Sequence, residues 1–217
     1  MAVPPELTIA NLSGEFIPDK ALSDDADGFL SLACRSLPSK QLPEIEQEIT
    51  NTLQQGVPWL LRKAISLANP KLTIAQSTNE DGVAVVDLSV VGIGGRTVTE
   101  QRVLNWEPIP SSNPLYGKTT IRSRLYTSTL EKRPNQSDED HAYLNARIAR
   151  DGSPSSWAED EDHQHLHCVI SNDKGGWTID QVWGFEEING KRYHTRRSVL
   201  VKGDAVERGR IVYNYVS

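Results

Sequence analysis

From Val83 to the C-terminus the chain alternates apolar and polar residues with a period of two. Val83–Val91 sets Ala84, Val86, Leu88 and Val90 against Asp87 and Ser89. Thr97–Trp106, Lys118–Thr129, His163–Ser171, Trp177–Ile188, Arg192–Lys202 and Val206–Val216 repeat the pattern. Successive side chains of a strand point to opposite faces, so this periodicity predicts half-buried β-strands. The last four segments are joined by Asn172-Asp173-Lys174-Gly175-Gly176, Asn189-Gly190 and Gly203-Asp204, which is the turn chemistry of an antiparallel meander. Strand signals around Asn11–Phe16 and Lys71–Gln76 bring the expected total to roughly nine or ten. A meander of that size removes its exposed edges by closing into a barrel.

Between the first two strand signals the period changes. Ser23 can cap a helix carrying Asp24, Asp25 and Asp27 in its first turn and Phe29, Leu30, Leu32 and Ala33 on its apolar side. A second helix starts at Pro43, with Ile45, Ile49 and Leu53 at helical spacing. The third and clearest runs from Pro58 to Ala68, with Leu60, Leu61, Ala64, Ile65 and Ala68 on one side, and stops at Pro70. Residues 21–69 therefore read as a helical lid on an all-β barrel, within a single domain spanning 1–217. Residues 1–10 read as a flexible leader. Residues 131–162 are acidic and rich in Pro, Ser and Asp; they read as a long, mobile loop, dispensable for folding, with a short helix near His141–Ala149.

The net charge of −6 argues against a nucleic-acid partner, because phosphate binding needs a concentrated basic face. No 18-residue apolar run is present, so no membrane span is expected, and Met1–Glu6 does not resemble a secretory signal. Two cysteines, Cys34 and Cys168, are too few for a disulfide framework. A cytoplasmic location is the expectation, with a homodimer as one option. Gly92-Ile93-Gly94-Gly95 reads as a turn or bulge rather than a phosphate loop, since no helix pattern or Lys-Ser/Thr follows.

The order of elements resembles the fatty-acid-binding-protein type of calycin. Gly14-Glu15-Phe16, Gly56-Val57-Pro58-Trp59-Leu60-Leu61-Arg62-Lys63 and Asn69-Pro70-Lys71-Leu72-Thr73-Ile74 stand where that family has its first strand, lid and following strand. The chain is also similar to lipocalin-like proteins of filamentous fungi, through Arg62–Ala68 and Gln181–Glu187. Lipid carriers of the first group grip a carboxylate with Arg-x-Tyr on the last strand. Here Arg210-Ile211-Val212-Tyr213 puts the two side chains on opposite faces. Some of the fungal relatives are cofactor-free cyclases that close rings by hydroalkoxylation or hetero-Diels–Alder addition. The resemblance thus implies a cyclase of an aromatic or isoprenoid intermediate in secondary metabolism, forming an oxygen heterocycle. A non-catalytic carrier of a hydrophobic small molecule is the rival.

Alternation nominates the site. Val98, Glu100, Arg102, Leu104 and Trp106 share one face of their strand, and charges in an apolar face are costly unless paired or wet. Either this face or that of Thr97, Thr99, Gln101 and Val103 points inward. Thr120, Arg122, Arg124 and Tyr126 share another face, as donors for a phenolate if inward and a solvated stripe if outward. Trp177, Ile179, Gln181, Trp183 and Phe185 form an aromatic wall or a core stripe. His165, flanked by His163 and His167, is an acid–base candidate if inward. The expected catalytic set is Glu100, Arg102 and His165. The expected substrate-binding set is Trp106, Arg122, Arg124, Tyr126, Gln181 and Trp183. Neither metal nor cofactor is expected.

Overall fold

The computed structural model describes residues 1–25, 27–34, 70–91, 97–113, 117–159 and 162–217. The helices expected over 43–53 and 58–68, and the glycine run 92–95, lie outside the described residues. Along the chain the elements are β1 (Gly14–Pro18), α1 (Asp27–Cys34), β2 (Leu72–Thr78), β3 (Ala84–Val91), β4 (Thr97–Val103) and β5 (Ile109–Asn113). They continue as β6 (Gly117–Thr127), α2 (Asp138–Leu144), β7 (Gln164–Asn172), β8 (Trp177–Ile188), β9 (Lys191–Lys202) and β10 (Ala205–Tyr215).

The strands form one antiparallel sheet in the order β4-β3-β2-β1-β10-β9-β8-β7-β6-β5. Its ends approach each other. Asn105, just past β4, bridges to Arg124 of β6, and the Trp106 N–H donates to the Ser123 carbonyl at 2.9 Å. The result is a nearly closed, antiparallel all-β barrel. The hairpin turns follow their residues: Asn189 and Gly190, between β8 and β9, have φ of 53° and 71°, the left-handed pair that a tight hairpin needs. β5 gave no alternation signal because Pro110 sits inside it. Proline cannot donate to a ladder, and β5 lies at the end of the sheet order, where one side asks for no donor.

Register separates the two faces. Val86 pairs with Arg102 and Leu88 with Glu100; Leu166 pairs with Trp183; Phe185 pairs with His194; Tyr213 also pairs with His194. The apolar members of these pairs, with Phe16 and Ile74, form the interior cluster. α1 covers one end, packing Phe29, Leu32 and Ala33 on Trp177, Ile179 and Leu200.

At the opposite end the N-terminal segment is a plug, not a flexible leader. Val3, Leu7, Ile9 and Leu12 are buried in the interior cluster. Arg192 stacks its guanidinium 3.6 Å from the Phe185 ring centre and donates to the carbonyls of Pro4 and Leu7 at 3.1 and 3.0 Å. Four apolar side chains over ten residues were enough to dock a stretch that carries no periodic pattern.

The excursion 131–159 is likewise packed rather than mobile. Ser137 caps α2, its hydroxyl accepting from the Asp140 N–H at 3.0 Å. α2 lays Tyr143 and Leu144 on the outer face of the sheet, against Val182 and Val199. Arg197, also on that outer face, is fully buried. It donates to Glu186 at 2.8 and 2.9 Å, to the carbonyls of Tyr143 and Ile148 at 3.0 and 2.5 Å, and to the Ser155 hydroxyl at 2.7 Å. Arg210 adds a second pair to Glu186 at 2.9 Å. Burial pushes the Glu186 carboxyl up, but the hydrogen bonds and charge of Arg197, with Arg210 and Thr195, prevail and hold it below its usual range. A polar segment is therefore clamped by satisfying its backbone, which apolar periodicity does not reveal.

Candidate active site

Within the barrel a polar patch is set into the apolar wall, built by β4, β8 and β9. The inward face of β4 is the one carrying Val98, Glu100 and Arg102: Arg102 is buried and Glu100 half-buried, whereas Thr97, Thr99 and Gln101 are exposed. Arg102 Nη2 is ion-paired with Glu100 Oε1. Its Nε and Nη1 are buried with no protein acceptor.

Trp183 is the floor of the patch, 0% exposed. Its indole N–H donates to Gln181 Oε1 at 2.6 Å, and Gln181 in turn donates to the Ser198 hydroxyl at 2.8 Å. Arg102 approaches the Trp183 ring to 6.0 Å. Arg196, from β9, lies much closer, 3.6 Å from the ring centre, and 5.0 Å from that of Tyr213. Burial lowers Arg196 from the ordinary guanidinium value, with Tyr213 opposing and Arg102 adding to the effect. Its Nη2 is also buried with no protein acceptor. Cys168, opposite Gln181, accepts from the Ser123 hydroxyl at 3.4 Å, and burial pushes its thiol up, which makes it a poor nucleophile.

The structure thus brings Glu100, Arg102, Gln181 and Trp183 together on the inner wall. It does not bring the other nominated residues there. Arg122, Arg124 and Tyr126 stand on the outward face of β6, since Ser123 and Leu125 take the inner one. His165 stands on the outward face of β7 and is no inward acid or base. It packs under Trp157, with ring centres 5.0 Å apart, and beside Tyr126 at 5.4 Å. Burial pushes the Tyr126 phenol above its ordinary range. Trp106 continues the inward alternation of Arg102 and Leu104, but its φ is 65°. That left-handed residue breaks the pleat and swings the indole outward. There it lies 4.5 Å beneath the Arg124 guanidinium and 4.9 Å from the His167 ring. Among the described residues, no three His, Cys, Asp or Glu side chains converge as metal ligands.

Arg196, His194 and Tyr213 were missed. The signal was available: His194, Arg196, Ser198 and Leu200 alternate on one face of β9, the same pattern of charge among apolar residues that nominated Glu100 and Arg102.

No protein-family model matches the chain. The pericyclase pydY of an Acremonium species is 32% identical over 175 residues, covering 79% of this chain and 83% of that protein. The chain belongs to this family of fungal pericyclases. The probable pericyclase scpY of Mollisia scopiformis is 26% identical over 219 residues, covering 99% of this chain and 95% of that protein. A mutant of the fluorescent protein UnaG, among solved structures, aligns over 96% of this chain and 98% of its own, with a TM-score of 0.44 and 13% identity. No helix among the described residues is long and apolar enough to cross a membrane.

Proposed function

We propose that this pericyclase binds a linear, conjugated intermediate of fungal secondary metabolism inside the barrel and accelerates its intramolecular ring closure, by a Diels–Alder or hetero-Diels–Alder addition. The observation that carries this reading is the patch around Trp183. Two guanidiniums, Arg102 and Arg196, face the patch; Arg102 is ion-paired with Glu100, and three buried N–H-bearing nitrogens of the two arginines have no protein acceptor. Such donors suit a carbonyl oxygen of the substrate.

The chemistry asks for little else. A diene and an alkene or carbonyl join by two new σ bonds at the expense of two π bonds, with no atom or electron gained or lost. The barrier is largely the entropy of folding the chain so that its ends meet, and it falls further when the electron-poor partner is polarised. A wall of Trp183 and Phe185 fixes the folded conformer. Hydrogen bonds from Arg102 and Arg196 to the conjugated carbonyl draw electron density from the alkene as the bonds form. In a site screened from water, one such donor is worth about 10²-fold in rate.

Hydroalkoxylation, the other C–O bond-forming route, needs a group that delivers a proton to an alkene. The geometry favours it less, because Glu100 is ion-paired with Arg102 and His165 faces outward. The test uses a synthetic linear trienone, with a conjugated diene tethered to an α,β-unsaturated ketone, and follows product formation and diastereomer ratio. The protein should accelerate closure and enrich one diastereomer, and Arg102→Met should lose most of the acceleration. Saturable binding with no acceleration would instead assign the protein as a carrier.

A further inference from the structure

We infer that His194 is a positioning residue: it holds the Arg196 guanidinium flat on Trp183 and turned toward the substrate. The inference rests on the ring-closing reading above and goes beyond it, because His194 itself faces the protein on all sides.

Its surroundings fix its chemistry. His194 is 0% exposed. Aromatic rings close around it: Phe16 at 5.5 Å, Tyr213 stacked at 5.3 Å, Trp183 at 5.9 Å and Phe185 at 6.0 Å between ring centres. Its two nitrogens have different partners. Nδ1 lies 3.2 Å from the Gly184 carbonyl, which can only accept, so Nδ1 carries the proton. Nε2 lies 3.3 Å from Arg196 Nε, which can only donate, so Nε2 is a bare lone pair. The ring is therefore neutral, in one tautomer, held by the backbone of β8 on one side and offering an acceptor on the other.

That acceptor has one use. An arginine lying on an indole is free to rotate about its last bonds, and stacking alone does not choose which N–H groups face the ligand. Tying Nε to His194 removes that freedom. It orients the guanidinium plane over Trp183 at 3.6 Å and leaves Nη2 as a buried donor without a protein partner. Gly184 contributes as well. Its missing side chain leaves room on the outer face for Trp157, whose ring carbons a Cβ there would meet at 2.7 and 2.8 Å. The strand segment whose carbonyl holds His194 is thereby pinned from behind.

The experiment is a double-mutant cycle on ring closure of the linear trienone. His194→Phe keeps the aromatic packing and deletes both hydrogen bonds. His194→Gln is the conservative variant, since one amide can donate to Gly184 and accept from Arg196. Arg196→Lys keeps the charge but cannot make the side-on contact to His194 together with the flat stack. His194→Phe is expected to lower kcat about 10- to 100-fold with KM changed less than about threefold. His194→Gln should recover most of it. In the Arg196→Lys background, His194→Phe should cost almost nothing more. Wild-type kcat in His194→Phe, or losses that multiply in the double variant, would overturn the inference. Should His194→Phe fail to fold, His194→Leu, which also deletes both hydrogen bonds, takes its place in the cycle on the same criterion. If the wild-type protein binds the trienone without closing it, the ring-closing reading falls. The same cycle on the dissociation constant then decides the positioning role, with non-additivity supporting it and additivity overturning it.

Discussion

The guanidinium of Arg196 lies 3.6 Å from the ring centre of Trp183, and both side chains are buried. A desolvated contact of this kind is worth about 2 kcal/mol, and it makes the indole part of the electrostatics of the patch as well as its floor. Trp183 also orients Gln181 through its N–H. The wall, the donors and the network behind them are therefore one unit.

Trp183→Phe should expose that unity. The smaller ring keeps an apolar floor but leaves Gln181 Oε1 without its 2.6 Å donor. Stability should fall by about 1–3 kcal/mol, the range for a buried polar group that loses its partner. Diastereomer selectivity in trienone closure should fall with it. Urea denaturation and product ratio check the two effects, and unchanged selectivity would remove Trp183 from the site.

The buried neutral imidazole of His194 has a consequence for stability against pH. Burial, then the positive charge of Arg196, holds its pKa well below 6.5, with the Gly184 hydrogen bond opposing and Arg192 adding. The unfolded chain therefore takes up a proton on this ring at a higher pH than the folded one. By linkage, stability is full above the unfolded value and declines as pH falls below about 6.5. The slope is about 1.4 kcal/mol per pH unit for one proton until the folded ring itself titrates. Glu186 acts lower: its depressed carboxyl contributes stability above the usual carboxylate range that is lost as pH falls through its folded value. Denaturation midpoints of the wild type and His194→Gln should diverge between about pH 6.5 and 5, with the variant flatter. Parallel curves would show that His194 is not the group responsible.

How much of this was legible depended on which strands had only one buried face. β4 has one: its outward residues Thr97, Thr99 and Gln101 are exposed, and alternation nominated Glu100 and Arg102. β7 and β9 are buried on both sides, by the interior and by the 131–159 excursion, so five residues running from His165 to Val169 are all buried. Period two then distinguishes the faces without saying which is inside, and His165, a candidate only if inward, faces outward. Tyr126, beside His165, and Arg124, over Trp106, lie outward through the same ambiguity. Trp106 failed for a different reason. A single left-handed residue redirected its ring, and nothing in a tryptophan's identity announces a positive φ. The N-terminal plug and the Arg197 clamp escaped because they rest on backbone carbonyls reached from far along the chain.

The excursion should behave as part of the fold. Arg197→Leu strands the Glu186 carboxylate in a buried site with Arg210 as its remaining cation and releases the carbonyls of Tyr143 and Ile148. Breaking one side of a buried ion pair costs about 3–5 kcal/mol, which thermal denaturation will register. Limited proteolysis of the wild type should spare residues 131–159, and Arg197→Leu should open them to early cleavage. Early cleavage there in the wild type would restore the picture of a loose loop.

Glu100 separates the two ring-closing chemistries. In a cycloaddition its work is to hold the Arg102 guanidinium toward the substrate, through the ion pair on β4. Glu100→Gln preserves shape and a hydrogen-bond acceptor for Arg102, so closure should slow by no more than about tenfold, the loss from one weakened hydrogen bond. Arg102→Met removes the donor itself, and its loss should approach about 10²-fold. In a hydroalkoxylation the order reverses. A carboxyl that delivers or collects the proton is worth about 10²–10⁴-fold, so Glu100→Gln would be the more damaging change. Solvent deuterium gives an independent reading: a cycloaddition moves no proton and should show no isotope effect on kcat, whereas protonation of an alkene should show a substantial one. A large isotope effect, with Glu100→Gln the slower variant, would overturn the cycloaddition in favour of proton-driven closure.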